Sequence, residues 1–255
     1  MSALYVIATP IGNLEDLTPR ARRVLGEVDA LACEDTRVTR RLFERFGIPS
    51  PKVIFSSHEH NEARAARRIL DLLKEGRSVG LCSNAGYPAI SDPGYRAVSA
   101  AIEAGFPVEV LPGAGAVEPA LVLSGLPSSS FTFKGFPPKK SGKRRAFLAE
   151  ERDRPHTLVL FESPHRVAAL LEDALAVLGD RRAAVCLELT KKFERVRRGF
   201  LSELVPLFTG EKIKGEATVV IAGHHEKFMR EEPLVAHQQC LPDRGHSKYN
   251  VDEQP

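Results

Sequence analysis

Apolar positions in the first half of the chain fall into short runs separated by longer mixed segments. Leu4–Ala8, "LYVIA", is rich in aliphatic, aromatic and β-branched residues and predicts a strand. "TPRARRVLGEV" then predicts a helix, with Thr18 as N-cap and Pro19 at the first helical position, where a missing N–H is harmless. "DALACE" predicts a second strand. "DTRVTRRLFERFG" places Val38, Leu42 and Phe46 on one helical face and stops at Gly47. "KVIFSS" predicts a third strand, and "NEARAARRILDLLKEG" a helix ending at Gly76. "SVGLC" and "PVEVLPG" supply the fourth and fifth strands, joined by the helix "YRAVSAAIEAG". Strands alternating with helices imply a largely parallel sheet covered on both faces, the α/β class.

The pattern breaks near "SGLPSSSFTFKGFPPKKSGKRR", where serine, proline and lysine accumulate, and a domain boundary is expected at about Leu126–Phe131. The second part predicts strands at "HTLVLF", "AAVCLEL" and "EATVVIAG", with helices near Arg166–Leu178 and Leu201–Phe208. Periodicity dissolves after Gly223. The expected organisation is therefore residues 1–126 and 127–223 as two α/β domains, and 224–255 as a mobile or loosely docked extension.

Composition adds bounds. The chain has 255 residues, 43% hydrophobic and 27% charged, ordinary globular values for one large domain or two smaller ones. A net charge of +3 implies no general electrostatic grip on nucleic acid, so any such grip needs local clustering. Cys33, Cys82 and Cys186 sit in strand-like runs, and with Cys240 they form no CxxC pair. They read as free thiols of a reducing compartment, and a cytoplasmic protein is expected. No run approaches the ~20 apolar residues of a membrane span, and no membrane association is expected.

Ligands of open α/β sheets sit outside the carboxyl ends of the strands. Three loops of the first half satisfy that condition: "TPIGNLEDLT" after the first strand, "SNAGYPAISDPG" after the fourth and "LPGAGAVEPA" after the fifth. Their glycines let backbone approach a ligand, and their prolines preset loop shape. Any one of them reads equally as a tight turn, whereas three at one sheet edge point to a shared site. The common phosphate motifs fail: "GAGAVE" has Glu118 where a dinucleotide fingerprint needs glycine, and no GxxxxGK[ST] occurs. "HEHNE" at His58–Glu62 is not HExxH, and no metal is expected. Two basic runs, "PPKKSGKRR" (Lys139, Lys140, Lys143, Arg144, Arg145) and "TKKFERVRRG", read as solvated faces or as an RNA-facing surface.

Taken together, "YVIATPIGNLEDLTPRA", "CEDTRVTRRL", "SSHEHNE", "SNAGYPAISDPGYR", "LPGAGA", "FESPHR" and "ELTKKFE" resemble, in order, the bacterial small-subunit ribosomal RNA cytidine 2′-O-methyltransferases of the tetrapyrrole-methylase superfamily. The resemblance runs from about Leu4 to Gly223. It implies two α/β domains with S-adenosylmethionine in the cleft between them, in a homodimer acting on ribosomal RNA or the small ribosomal subunit. Motif by motif it implies a cofactor pocket of Pro10, Ile11 and Gly12; of Asn84, Ala85, Gly86 and Tyr87; and of Gly113, Ala114 and Gly115. Phe161, Ala217 and Thr218 would close it from the second domain. It also implies RNA contacts by Arg37, Arg40, Arg166 and Lys191. The family's usual "SDAGTPGISDPG" has aspartate, threonine and glycine where this chain has Asn84, Tyr87 and Ala89, and a serine is commoner than Gly115.

Methyl transfer to a ribose hydroxyl needs a proton acceptor. The "HEHNE" residues His58, Glu59 and Glu62 are the expected ones, with Glu34, Asp35, Glu162, His165 and Glu188 as further candidates. Two rival readings remain at this level. One is a tetrapyrrole-precursor methyltransferase of the same fold. The other is a catalytically silent RNA-binding protein, motivated by Asn84 and Gly115.

Overall fold

A computed structural model describes residues 2–210 and 213–230. Five strands, β1 (Leu4–Ile7), β2 (Ala30–Cys33), β3 (Val53–Ser56), β4 (Val79–Cys82) and β5 (Val108–Leu111), form a wholly parallel sheet in the order β3-β2-β4-β1-β5. β2 and β4 are buried along their full length, as strands covered on both faces must be.

Helices α1 (Pro19–Glu27) and α2 (Thr36–Phe46) cover one face through Ala21, Val24, Leu25 and Phe43. Helices α3 (Glu62–Lys74) and α4 (Tyr95–Glu103) cover the other through Ala65, Ile69, Leu73, Ala97 and Ala101. α1 starts as its sequence dictates, with Thr18 Oγ1 accepting from Ala21 N at 3.1 Å and Pro19 beginning the helix. α2 ends on Gly47 in the left-handed conformation. Its inward stripe is rotated from the expected one: Thr39 and Phe43 are buried, whereas Val38 lies 39% exposed. Thr39 tolerates burial because its hydroxyl donates to Asp35 O at 3.2 Å.

After β5 the chain changes sheets. Helix α5 (Val117–Ser124) sets Ala120 and Leu121 against Val159, Cys186 and Val220 of a second sheet. That sheet contains β6 (Phe131–Phe133), β7 (Thr157–Glu162), β8 (Arg182–Leu187), β9 (Arg195–Phe200) and β10 (Ala217–Ile221), in the order β6-β7-β10-β8-β9. Only β6 and β7 run parallel; the remaining pairs are antiparallel. Helices α6 (Ser141–Ala149), α7 (Val167–Leu178) and α8 (Leu201–Phe208) cover the face opposite α5. Three strands are expected here and five are found. β6 has three residues, too few to show a period, and β9 is an edge strand whose exposed arginines mask its alternation.

Residues 224–230 are the described part of the expected extension. They dock on the second domain, with Met229 bridging Arg181 and Arg230 N donating to Asp180 O at 2.8 Å. The rest of the extension, including Cys240, lies outside the described residues. Cys33, Cys82 and Cys186 are buried free thiols. Among the described residues, no helix is long and apolar enough to cross a membrane.

Candidate active site

The order of the first sheet places β4, β1 and β5 side by side and parallel, so the loops that follow them leave from one edge. These are the three glycine- and proline-rich loops of the sequence. Backbone and side-chain hydrogen bonds stitch them together. Thr9 N donates to Gly86 O at 3.0 Å and Gly86 N donates to Thr9 O at 2.9 Å. Gly113 N donates to the Tyr87 hydroxyl at 2.9 Å, so the tyrosine that replaces the family's threonine ties the second loop to the third. Thr9 Oγ1 donates to Ser83 O at 3.2 Å, and Ser83 Oγ donates to Gly86 O at 3.1 Å.

The loop 83–94 is held in an unusual shape. Gly86 has φ of 77° and Gly94 of 146°, and the non-glycine residues Ala89 and Ser91 sit at 69° and 61°. Ala89 thus stands in a left-handed conformation where the family commonly has glycine, at a cost of about 1–2 kcal/mol for an L-residue. Its far end is pinned from α3: Glu62 Oε1 accepts from Gly94 N at 2.9 Å and from Arg96 N at 3.2 Å.

These loops face the second sheet across a cavity of about 710 Å³. That volume lies in the range of small-molecule and cofactor sites, roughly 300–1,000 Å³. Ile11, Asn84, Ala85, Gly86, Tyr87 and Gly115 line it from the first domain, and Phe161, Ala217 and Thr218 from the second. Thr218 pairs with Phe161 on one side and Cys186 on the other, so the three side chains share the face of the sheet that meets the cavity. Phe131, Phe133 and Phe136 extend that wall, with Phe161 packed edge-on against Phe133 at 4.8 Å and Phe136 at 5.6 Å.

Four residues implied for the pocket, Pro10, Gly12, Gly113 and Ala114, are absent from its lining. Two have a packing role behind it. A Cβ on Gly12 would collide with Lys191 Cγ and lie 2.8 Å from Thr190 Oγ1, so glycine permits contact between the domains. A Cβ on Gly113 would lie 2.9 Å from that of Ala8. Asn13 N donates to Thr190 Oγ1 at 3.0 Å and completes the contact between the domains.

The cavity is acidic. Glu34, Asp92, Glu118, Glu162 and Glu216 line it, and among the described residues no lysine, arginine or histidine does. Three of these carboxylates already have partners. Glu34 Oε2 accepts from Asn84 N at 3.0 Å. Glu162 Oε1 accepts from Arg166 Nε and from Ser163 N, both at 2.7 Å. Glu216 pairs with Lys191 at 3.1 Å, and Lys191 also pairs with Glu188 at 2.9 Å. Asp92 has no cation; burial, then the charge of Glu34, push its carboxyl up to about 6 against a lowering contribution from Ser83. Asn84 Oδ1 is buried without a hydrogen-bond partner, the state of a group that awaits a ligand.

None of the three expected proton acceptors lines the cavity. His58 begins a 3-10 turn, its N–H donating to Asn61 Oδ1 at 2.8 Å, and Glu59 is exposed. The Glu62 carboxylate accepts from Gly94 N and Arg96 N, the amides that open α4. Asp92, Glu118 and Glu216, which do line the cavity, carry no proposed role from sequence alone. Asp92 was legible only as part of a turn motif, and nothing local distinguishes Glu118 or Glu216 from surface acids.

The basic residues divide. Arg37, Arg40, Lys139, Lys140, Lys143 and Arg145 are exposed. Arg37 pairs with Asp35 at 2.7 Å, and hydrogen bonds from its side chain and amide hold the Asp35 carboxyl at about 2. Arg144 is corrected: it is buried, with Nε on Asp173 Oδ2 at 2.8 Å and its other nitrogens on Lys139 O and Ala169 O. Arg166 and Lys191 are half-buried and spent on carboxylates at the cavity rim. Burial disfavours the Lys191 ammonium, and hydrogen bonds to Glu188 and Glu216 outweigh it and raise its pKa.

A two-sheet molecule with a ligand-sized cleft between the sheets, walled by three strand-end loops, defines a class of enzyme architecture rather than one protein. Residues 3–205 match the family model described as Tetrapyrrole (Corrin/Porphyrin) Methylases, and the chain belongs to that family. Within it, the chain is 48% identical over 229 residues to the "Ribosomal RNA small subunit methyltransferase I" of Halalkalibacterium halodurans, covering 90% of this chain and 78% of that one. It is 48% identical over 234 residues to the protein of the same name from Micromonospora olivasterospora, covering 91% and 74%. The uroporphyrin-III C-methyltransferase of Thermus thermophilus, solved with S-adenosylhomocysteine, superposes with a TM-score of 0.59 at 20% identity, over 86% of this chain and 97% of that one, which shows a shared fold.

Proposed function

We propose that this protein transfers a methyl group from S-adenosylmethionine to the 2′-hydroxyl of a cytidine in small-subunit ribosomal RNA, in the cytoplasm and as a homodimer. The observation that carries the reading is the 48% identity, over nine-tenths of the chain, to a relative named as a small-subunit ribosomal RNA methyltransferase.

The residues present fit the cofactor. The cofactor carries two cationic groups, sulfonium and ammonium, against one carboxylate, and the described lining of the cavity is net acidic. Asn84, which lacks the charge of the family's aspartate, keeps an unpartnered buried oxygen, and Glu34 on its own amide returns a negative charge to the same loop. Ile11, Asn84, Ala85, Gly86, Tyr87 and Gly115 would hold the cofactor on one side and Phe161, Ala217 and Thr218 on the other. Bound there, S-adenosylmethionine supplies an electrophilic methyl carbon. The protein contributes alignment and exclusion of water. RNA would approach over Lys139, Lys140, Lys143 and Arg145, with Arg37 and Arg40, each phosphate contact adding salt-sensitive affinity.

Against the tetrapyrrole reading stand the motifs "HEHNE" and "FESPHR" and the basic run from Lys139, which the resemblance assigns to the ribosomal RNA branch. Dimerisation is supported by edge strand β5, where Val110 is 53% exposed.

The test is a paired assay of methyl transfer from labelled S-adenosylmethionine to small ribosomal subunits and to a uroporphyrinoid, with mapping of the methylated nucleotide. Label on a cytidine 2′-oxygen is the expected result. Label on the porphyrinoid, or no cofactor binding at millimolar concentration, would overturn the reading. Light scattering of the full chain checks the dimer.

A further inference from the structure

Among the described carboxylates lining the cavity, Asp92 is half-buried and pairs with no cation or backbone amide. Glu34 and Glu216 are occupied as described above, Glu162 is paired with Arg166 through Oε1 while its buried Oε2 has no partner, and Glu118 is exposed. Asp92 lies between the two domains, within the reach of Glu34 from the first and Glu216 from the second. The charged groups around it are Glu34, Glu216 with its partner Lys191, and the Glu62–Arg96 pair at the end of its loop. Only the Ser83 hydroxyl favours its anion.

Its position is built rather than incidental. Ser91 before it takes a φ of 61°, Gly94 after it a φ of 146°, and a Cβ on Gly94 would lie 3.0 Å from Ala89 N. Ala89 N donates to Pro93 O at 3.3 Å across the turn, and Glu62 pins Gly94 and Arg96 from α3. Strained backbone persists where surrounding structure over-determines it, which is characteristic of functional loops.

We propose that Asp92 accepts the proton of the hydroxyl that is methylated, and that Glu62 is a positioning residue acting through the loop that carries it. This rests on the reading of the acceptor as a hydroxyl. In the step, an oxygen lone pair forms the O–CH3 bond, the S–CH3 bond breaks with its electrons kept by sulfur, and the hydroxyl proton passes to the Asp92 carboxylate. A cation and an anion are consumed together, so a cavity that disfavours isolated charge favours the products. A carboxyl already pushed up toward neutrality by burial is matched to taking a proton at physiological pH.

The experiment compares wild type, Asp92→Asn and Asp92→Glu. Asp92→Asn is expected to lower turnover on small subunits by about 10²–10⁴-fold, the usual contribution of a general base. Its affinity for S-adenosylhomocysteine by calorimetry should stay within about threefold of wild type, and Asp92→Glu should restore part of the turnover. Wild-type kcat/KM for the cofactor should rise with pH to an inflection near 6 that Asp92→Asn abolishes. The ligand-free protein gives a readout independent of turnover. A carboxyl raised in the folded state destabilises the fold once ionised, above pH of about 6, and not below the unfolded value of 3.8. Asp92→Asn should therefore raise Tm at pH 7.5, with the difference closing as pH falls toward 4.

Turnover by Asp92→Asn within threefold of wild type, or loss of S-adenosylhomocysteine affinity with turnover kept, would overturn the assignment. Transfer by wild type to a base carbon or nitrogen would overturn this proposal and the function together. Equal 2′-O transfer by wild type and Asp92→Asn would overturn only this one.

Discussion

The two walls of the cleft are built by different means. The first-domain wall is mainly backbone: loops after three adjacent parallel strands, joined by the Thr9–Gly86 backbone bridge, with the Tyr87 hydroxyl accepting from Gly113 N. The second-domain wall is side chain: four phenylalanines and strand-end residues, backed by ion pairs such as Arg144–Asp173 and Arg166–Glu162. A backbone bridge keeps its shape when side chains change, which is how Asn84 can depart from the family pattern without dismantling the pocket. A side-chain wall depends on individual residues staying paired.

The comparison breaks most sharply at Arg144. Arg144→Ala leaves Asp173 buried with only Arg145 and Ser141, and a loss of about 3 kcal/mol or more is expected. Denaturant unfolding checks this, and RNA affinity of the folded fraction should be unchanged if Arg144 belongs to the core. Next in size is Gly94→Val on the backbone wall, at a φ of 146° and with Ala89 N in the way of a Cβ. It should destabilise by about 2–3 kcal/mol and weaken S-adenosylhomocysteine binding at least tenfold by calorimetry. Glu62→Ala removes the acceptor for two amides of the same loop and should cost about 1 kcal/mol, with turnover falling far less than in Asp92→Asn. The smallest effect runs the other way. Ala89→Gly relieves a left-handed alanine and should stabilise by roughly 0.5–1 kcal/mol, read as a rise in Tm.

The backbone wall was also the legible one. Glycine and proline act locally, so the loops after β1, β4 and β5 announced themselves, as did the capped start of α1 and the glycine stop of α2. The second sheet was half hidden. β9 reads as a run of charge because its arginines face solvent from a sheet edge, and α5 reads as loop until its partner sheet is seen. The acids were read least well. "HEHNE" carries the residue types of catalysis, yet its glutamate caps a helix from a distance. Asp92 carries the residue type of a turn, yet faces the cleft.

By itself the sequence determined the alternation of strand and helix, the family, and the three loops at one sheet edge, because propensity, capping and turn chemistry are set by neighbours along the chain. Which acids share the cavity, that Arg144 turns inward, and that Lys191 and Arg166 hold carboxylates were decided only by the tertiary structure. A charged side chain's role depends on what faces it and how far water is excluded. Those partners are brought together by the fold, as with Arg144 and Asp173, 29 positions apart on different helices.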